Sequence, residues 1–182
     1  MRLLTARATL QPLGLADADL VHAIWTHPDV RRYLCDGRLV SMQQSRDWLA
    51  ASARNFAVRG FGLWGVQLDE GALAGVVGCQ RWPGSDEPEL MYALRPEWWG
   101  QGLATESTQA VLAFVFERLG QPMAVAATDP PNAASIRVLD RLGMLFAERL
   151  VLHGRDTLVY RLSRERWRRL HAVSHQPVAW TI

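Results

Sequence analysis

The stretch RPEWWGQGLATES, residues 95–107, constrains the fold of this chain more than any other. It follows a short apolar run, ELMYAL (89–94), and precedes a longer run, 103–120, in which apolar residues recur at helical spacing. The first pattern predicts a strand and the second predicts a helix. Gly100 and Gly102 stand between them, where the absence of a Cβ allows a sharp turn. The sequence therefore predicts a tight strand-to-helix turn.

A glycine turn at the start of a helix has the chemistry to bind an anion. The first backbone N–H groups of a helix have no intrahelical partner, and the helix dipole adds partial positive charge there. A phosphate or pyrophosphate fits this chemistry, whereas a turn that binds nothing is the simpler alternative. A P-loop would need Gly-Lys-Ser/Thr, and the chain has GLA. A dinucleotide fingerprint stays open as an alternative, although its third small position is Thr105 and three antiparallel strands are predicted ahead of the turn.

The order of predicted elements indicates an α+β fold, in which helices cover a mixed, mainly antiparallel sheet. Helix 41–60 has the clearest ends, because Ser41 and Gln44 have capping-box spacing and Gly60 suits a C-terminal stop. Asp17 is the predicted cap of an earlier helix that ends near residue 25, and a loop with HPDV and CDGR follows it. The remaining elements are strands 4–13, 61–69, 73–82, 89–94 and 123–129, helices 103–120 and 130–143, and a closing hairpin of MLFAERLVLHG and DTLVYRLSRERW.

Composition narrows the class of protein. The chain has 182 residues, 49% hydrophobic and 21% charged, which predicts one soluble domain over residues 1–170 and a C-terminal tail, 171–182. A net charge of +2 is too small to indicate a nucleic-acid partner. No run approaches the ~20 apolar residues of a membrane span, and no signal-peptide pattern opens the chain, so we expect a cytoplasmic protein with no membrane partner. Cys35 and Cys79 are far apart and no histidine pair has ligand spacing, so we expect buried thiols, no disulfide and no metal.

Three further residues are candidates for chemistry. Asn132 and Ser135 open the predicted helix NAASIRVLDRLG, where Asn132 is placed as the N-cap. The simpler interpretation is an ordinary cap followed by a polar residue in the first turn. Glu89 opens ELMYAL, and a carboxylate there is either a general base facing a cleft or, with Glu87, part of a solvated strand end.

Together these motifs resemble the GNAT superfamily of acyl-CoA-dependent N-acetyltransferases. The similarity spans residues 4–163 and is greatest to the bacterial branch that acetylates the N-terminal alanine or serine of ribosomal proteins. YALRPEWWGQGLATES resembles the family's pyrophosphate loop, Q/R-x-x-G-x-G/A, and NAASIRVLDRLGM resembles the branch's N-x-x-S helix start. Trp99 stands where the general pattern has Gln or Arg.

The resemblance implies a GNAT-like domain with a splayed strand pair in the sheet and helices on both faces. The pantetheine arm of acetyl-CoA would pair with backbone around Tyr92 and Leu94, Asn132 would hydrogen-bond that arm, and Ser135 would lie near the thioester sulfur. Backbone N–H groups of the loop would hold the pyrophosphate, and the residues concerned are Trp99, Gly100, Gln101, Gly102, Leu103, Ala104 and Thr105.

The implied reaction is direct transfer of an acetyl group from acetyl-CoA to a primary amine in a ternary complex. At pH 7 about one α-amine in seven is neutral, against about one lysine amine in 2,500, which favours a protein N-terminus as acceptor. Glu89 is the candidate base, with Glu106 and Glu148 as alternatives; the Leu94 N–H would stabilise the oxyanion, and Ser135 would assist the leaving thiolate.

Other functions stay open at this point. The acceptor could be a small-molecule amine, the donor another acyl-CoA, or the chain a non-catalytic acyl-CoA-binding module. A tail that carries Pro177 and Trp180 after the basic segment RERWRRL raises the hypothesis of a homodimer.

Overall fold

A single twisted sheet carries the fold in the computed structural model, which describes residues 1–34, 37–68, 71–172 and the backbone of 180–181. Within these residues nine strands follow the order β7-β8-β6-β5-β4-β3-β2-β1-β9. They are β1 Arg2–Leu4, β2 Ala8–Pro12, β3 Leu63–Leu68, β4 Leu73–Arg81, β5 Pro88–Leu94, β6 Met123–Thr128, β7 Leu145–Leu152, β8 Arg155–Ser163 and β9 Trp180–Thr181.

Helices cover both faces of the sheet, as predicted. They are α1 Ala18–Thr26, α2 Pro28–Arg31, α3 Met42–Arg59, α4 Leu103–Ala113, α5 Ala133–Arg141 and α6 Arg164–His171. On one face, side chains of α1 and α3 pack with alternate residues of β3 to β5. On the other face, α4, α5 and α6 bury a larger cluster that includes Phe114, Phe116, Leu139 and Trp167. The fold class is therefore α+β, with a mixed and mainly antiparallel sheet.

Strands β5 and β6 splay apart in the middle of this sheet. They form the one parallel pair among the described strands, and they pair only at Glu89↔Val125 and Leu90↔Ala126. Beyond Leu90, β5 continues to Leu94 beside β4 alone. The result is an open gap between two central strands, which is the splayed pair that the resemblance implied.

Helix α3 shows how local sequence sets an element's ends. The Ser41 hydroxyl accepts from the Gln44 N–H, and the Gln44 side chain accepts from the Ser41 N–H. Gly60 ends the helix in the left-handed region, at φ 79°. The predicted helix 41–60 is thus confirmed to within a residue at each end.

Several predicted boundaries are wrong, each for a local reason. The predicted strand 4–13 is two strands, because Thr5 accepts from the Ala8 N–H and closes a turn between them. The predicted loop at HPDV contains α2, with Pro28 at its first position and His27 as its cap. Helix 103–120 gives way after Ala113 to a π-helical turn over Phe114–Arg118, where the Leu119 N–H donates to the Phe114 carbonyl.

The closing hairpin and the tail also differ from prediction. Strand β8 ends at Ser163, whose hydroxyl accepts from the Arg166 N–H and starts α6, so the segment RERW is helical. Asp17 precedes α1 as expected, but its carboxylate accepts from the Gly14 N–H and closes the preceding turn. Residues 180–181 of the predicted tail pair with β1.

Some predictions fall outside the described residues: those on Cys35, on Pro177 and on part of the turn at residues 70–72. In the part of the chain that the structure describes, no helix has the length and apolar character needed to cross a membrane.

Candidate active site

A cavity of about 890 Å³ opens along the gap between β5 and β6. Its walls come from α1, α3, the end of β4, the splayed strands, the glycine turn and α5. Apart from Gln101 and the two alternative bases, the residues predicted to carry chemistry or bind the cofactor line this cavity: Glu89, Tyr92, Leu94, Trp99, Gly100, Gly102, Leu103, Ala104, Thr105, Asn132 and Ser135. The fold thus brings the separate sequence motifs to one place.

The glycine turn forms one end of the cavity. Gly100 and Gly102 have φ of 74° and 78°, the left-handed region that glycine adopts without strain. Gly102 is the N-cap of α4, and the first N–H groups of that helix lack intrahelical acceptors. The Thr105 hydroxyl in the first turn of α4 is buried without a hydrogen-bond partner among the described residues. A pyrophosphate can accept hydrogen bonds from these unpaired N–H groups and from this hydroxyl.

Trp99 contributes differently from the prediction. Its backbone N–H donates to the Pro96 carbonyl at 3.0 Å, so that donor is already engaged. Its indole Nε1–H donates to the Leu94 carbonyl at 2.8 Å and ties the turn to the end of β5. Gln101 faces away from the cavity wall, and its amide donates to the Glu97 carbonyl at 2.9 Å.

Arg7, between β1 and β2, braces the turn from outside the cavity. Its Nη1 donates to the Gln101 carbonyl at 2.9 Å, and its Nε donates to Glu106 Oε2 at 2.6 Å. Its backbone N–H also donates to Glu106 Oε1 at 2.9 Å. Arg7 therefore joins the glycine turn to the first turn of α4. Sequence reasoning missed this contact, because 99 residues separate Arg7 from Glu106.

Backbone groups of β5 face the gap. The Arg95 N–H donates to the Ala74 carbonyl at 2.9 Å, which makes the neighbouring pair Gly75↔Leu94 a non-hydrogen-bonded pair of the β4–β5 ladder. The N–H and C=O of Leu94 therefore point away from β4, toward the gap. The same alternation directs the backbone groups of Tyr92 that way. The Leu94 C=O already accepts from the Trp99 indole, so the Leu94 N–H and the backbone groups of Tyr92 are the ones left open for an extended ligand.

Ser135 stands across the gap, in the first turn of α5. Asn132 caps the helix as predicted, since its Oδ1 accepts from the Ser135 N–H at 3.1 Å. The Ser135 hydroxyl lies 2.7 Å from the Tyr92 hydroxyl. Burial raises the pKa of Tyr92 to about 12 although the Ser135 hydrogen bond opposes it, so the phenol stays neutral. The prediction assigned Tyr92 through its backbone only and missed this side-chain contact.

Glu89 is half-buried where β5 and β6 still pair. Burial raises the pKa of Glu89, against the opposing effects of a hydrogen bond from Gln80 and the charge of His153. The Gln80 amide donates to Glu89 Oε2 at 2.9 Å. His153 lies in the β7–β8 turn with φ 51° and also lines the cavity. A carboxylate with a raised pKa beside a cavity is suited to accept a proton near neutral pH.

The two alternative bases do not line the cavity. Burial alone would raise the pKa of Glu106, but hydrogen bonds from Thr5 and Arg7 and the Arg7 charge outweigh it and lower the pKa. Glu148 lies on edge strand β7, 3.9 Å from Arg161. Neither carboxylate is placed to take a proton from an amine in the cavity.

The site has no cluster of metal ligands among the described residues, and its thiol is buried. Across the described ranges, no group of three or more His, Cys, Asp or Glu side chains is placed to hold a metal ion. Cys79, on β4, borders the cavity but is fully buried, and that burial raises the pKa of its thiol. It fits the predicted role of a small apolar core residue.

Known proteins share this fold and sequence pattern. Residues 7–145 match the family described as acetyltransferase (GNAT) domain. The FsC-acetyl coenzyme A-N(2)-transacetylase of Aspergillus fumigatus is 27% identical over 97% of this chain and 82% of its own length.

Two solved structures show the same fold. A putative GNAT-family acetyltransferase from Bordetella pertussis superposes with a TM-score of 0.79 at 24% identity, over 90% of this chain and 99% of its own. The ribosomal L7/L12 alpha-N-protein acetyltransferase RimL, in complex with coenzyme A, superposes with a TM-score of 0.74 at 17% identity, over 89% of this chain and 97% of its own.

The fold and the site are those of an enzyme that transfers an acyl group. The chain belongs to the GNAT family of acetyltransferases. Its activity is acetyl-CoA-dependent acetyl transfer. Two surfaces of the site fit this substrate. The unpaired N–H groups of the glycine turn suit its pyrophosphate, and the open edge of β5 suits its pantetheine amides.

Proposed function

We propose that the enzyme acetylates a primary amine by direct attack on acetyl-CoA, and that its preferred acceptor is the α-amine of a protein N-terminus. The observation that carries this proposal is the gap between β5 and β6, where Glu89, the Leu94 N–H and the Ser135 hydroxyl line one cavity. The reaction needs a base, an oxyanion donor and support for the leaving thiolate, and these groups match those needs.

The pleat of β5 supports the division of roles. Glu89 alternates with Tyr92 along the strand, so it faces the side of α1 and α3, together with Met91 and Ala93. Tyr92 faces the side of α4 and α5, where Ser135 lies. The amine would lose its proton toward Glu89 on one side, and the thiolate would leave beside Ser135 on the other.

Substrate binding follows from the same surfaces. The N–H groups of Gly100 to Thr105 would hold the pyrophosphate, while the engaged N–H of Trp99 would leave that residue to support the turn. The pantetheine arm would pair with the backbone of Tyr92, while the Leu94 N–H would hold the acyl oxygen and the Leu94 C=O would stay bonded to the Trp99 indole. Asn132 would both cap α5 and orient the arm.

The charge of the cavity supports a peptide over a polyamine. Four arginines line it, against three carboxylates. Asp129 is paired with Arg155 at 2.5 Å, and Arg81 lies 4.0 Å from Asp86, so the lining keeps a small positive excess. A polycation would meet net positive charge there, whereas a peptide N-terminus brings a single positive charge. The lining residues concerned are Arg32, Arg81, Arg137 and Arg141, with Asp29, Glu89 and Asp129.

A small-molecule amine is the second candidate acceptor. The observation that favours it is the relative from Aspergillus fumigatus, which by its name acetylates FsC at N(2). That relative is similar over almost the whole of this chain. Neither candidate requires a covalent enzyme intermediate.

The acceptor is tested by release of free CoA thiol with a matched panel of amines. One peptide has a free α-amine and no lysine, the second has a blocked N-terminus and one lysine, and spermidine is the third. We expect the first peptide to react fastest, by roughly 350-fold over the lysine peptide near pH 7, because that is the ratio of their neutral fractions. Faster turnover of spermidine or of the lysine peptide would overturn the proposed acceptor.

A further inference from the structure

The side chains of Tyr92 and Ser135 form a pair inside the cavity. Their hydroxyl oxygens lie 2.7 Å apart, and the Tyr92 hydroxyl also lies 3.3 Å from the Ser135 carbonyl oxygen. Both ends of the pair are held in place. Tyr92 packs against the apolar core under β5, and Ser135 is fixed by the Asn132 cap.

The direction of this hydrogen bond decides what Ser135 can do. A serine hydroxyl has one proton, so a Ser135 that donates to Tyr92 has none to offer elsewhere. The Tyr92 hydroxyl also has one proton and two acceptors within reach, the Ser135 hydroxyl at 2.7 Å and the Ser135 carbonyl at 3.3 Å. The shorter contact and the greater acidity of a phenol favour donation from Tyr92 to the Ser135 hydroxyl. When Tyr92 donates, the Ser135 oxygen accepts and its own O–H is directed to another acceptor. A chain of two such bonds polarises each member, which strengthens the outer one.

We propose that Tyr92 is a positioning residue that turns the Ser135 hydroxyl proton toward the thioester sulfur of acetyl-CoA. This inference rests on the proposed role of Ser135. In the reaction the C–N bond forms and the C–S bond breaks, and the sulfur keeps the electron pair. The amine proton passes to Glu89, and CoA leaves as a thiolate that accepts a hydrogen bond from Ser135. The thiolate takes a proton from water after release.

The pair is tested with three variants, Y92F, S135A and the double variant, by thiol release at saturating acetyl-CoA and the best amine of the panel. We expect S135A to lower kcat by about 10²-fold and Y92F to lower it by about tenfold. The double variant should match S135A, because Tyr92 acts only through Ser135. The Kd for CoA should stay within about twofold in all three, since the pair donates to a group that develops in the transition state.

A matched control separates this role from stability. Tyr160 is a buried tyrosine on β8 that packs edge-to-face against Phe146 and lies outside the cavity lining, so Y160F removes the same atom without touching the site. Its kcat should equal that of the wild type.

The outcomes are distinct. A double variant whose loss is the product of the two single losses would overturn the positioning role of Tyr92 alone, and so would Y92F with unchanged kcat. S135A with the kcat of the wild type would overturn the role of Ser135 and, with it, this part of the proposed function.

Discussion

Glu89 meets two requirements of a general base, a raised pKa and access to the substrate cavity. It is close enough to the sheet's interior for burial to raise its pKa, and it still lines a cavity that a substrate amine reaches. The amide of Gln80 holds one carboxylate oxygen, so the other is free to accept a proton or order a water. The residue is therefore suited to act directly or through one water.

The variant E89Q tests this assignment by its pH profile. We expect kcat/KM to fall by about 10²-fold at pH 7. The loss should shrink as pH rises, because the amine then loses its proton without help. In the wild type, the raised pKa of Glu89 means that activity declines on acidification at a higher pH than an exposed glutamate would give.

The control for this experiment is E148Q, the same change on exposed strand β7 outside the cavity. Its profile should match the wild type. An E89Q profile that runs parallel to the wild type at every pH would remove Glu89 as the base.

At the scale of elements, the turn between β5 and α4 is held by Arg7, from the turn between β1 and β2. Arg7 donates to the Gln101 carbonyl and pairs with Glu106, which fixes the turn and the first turn of α4 to one residue. The same pairing has a stability consequence. The pKa of Glu106 is lower in the folded state than in the unfolded state. Its pairing with Arg7 therefore adds to the free energy of unfolding above the unfolded-state pKa, and this stabilisation is lost as pH falls through the folded-state pKa.

The variant R7Q should therefore weaken binding more than chemistry. We expect the Kd for CoA to rise by about tenfold, the effect of losing roughly one charge-assisted hydrogen bond, while kcat at saturation changes little. R7K should recover part of the affinity, because lysine keeps the positive charge but lacks the several fixed N–H donors of the guanidinium group. Calorimetric titration with CoA measures the Kd of both variants. The control is R54Q, on the exposed face of α3. An unchanged Kd in R7Q would contradict the bracing role.

Gly100 offers a second test at this scale. An alanine there must adopt φ near 74° in otherwise open space. Gly84, in the turn between β4 and β5, has φ 79° and equally open surroundings. Both G100A and G84A should cost about 1 kcal/mol of unfolding free energy. Only G100A should weaken CoA binding, and equal affinities in the two variants would argue against the turn as the pyrophosphate site.

The elements that sequence predicted best are those whose ends are decided locally. Helix α3 has a capping box and a terminal glycine, so adjacent residues decide both of its ends. The Asn132 cap of α5 was also predicted, although the helix begins after it, at Ala133, and not at residue 130. The turn at Thr5 contains no glycine or proline, so the sequence pattern predicted one continuous strand there. Contacts such as Arg7 with Glu106, or Tyr92 with Ser135, depend on how the sheet is assembled, and local patterns do not encode them.

On the scale of the whole molecule, the main feature of the sheet is the gap between its central strands β5 and β6. Two central strands diverge, and the hydrogen bonds that β6 would supply to the end of β5 are left for a ligand. Alternation and turn residues predicted the strands, but the divergence itself came from the family resemblance, because strand pairing is decided by packing across the sheet. A ligand that fills the gap completes the sheet's hydrogen bonding.

Binding should therefore stabilise the entire domain. At 100-fold excess over its Kd, acetyl-CoA should add about 2.7 kcal/mol to the free energy of unfolding, which raises Tm by roughly 5–10 °C for a chain of this size. CoA should act similarly, whereas NADH should have no effect. Differential scanning fluorimetry measures the shift, and G100A should show a smaller one at equal ligand concentration. A shift with NADH alone would favour the dinucleotide alternative.

The most direct measurement is a crystal structure with a CoA thioether analogue that keeps the acyl carbonyl and cannot react. The pyrophosphate is expected against the N–H groups of Gly100 to Thr105, with the acyl oxygen at the Leu94 N–H. The sulfur should lie within about 3.5 Å of the Ser135 hydroxyl, the range of a hydrogen bond to sulfur. An analogue bound with its sulfur away from Ser135, or its acyl group outside the gap between β5 and β6, would contradict this account of the site.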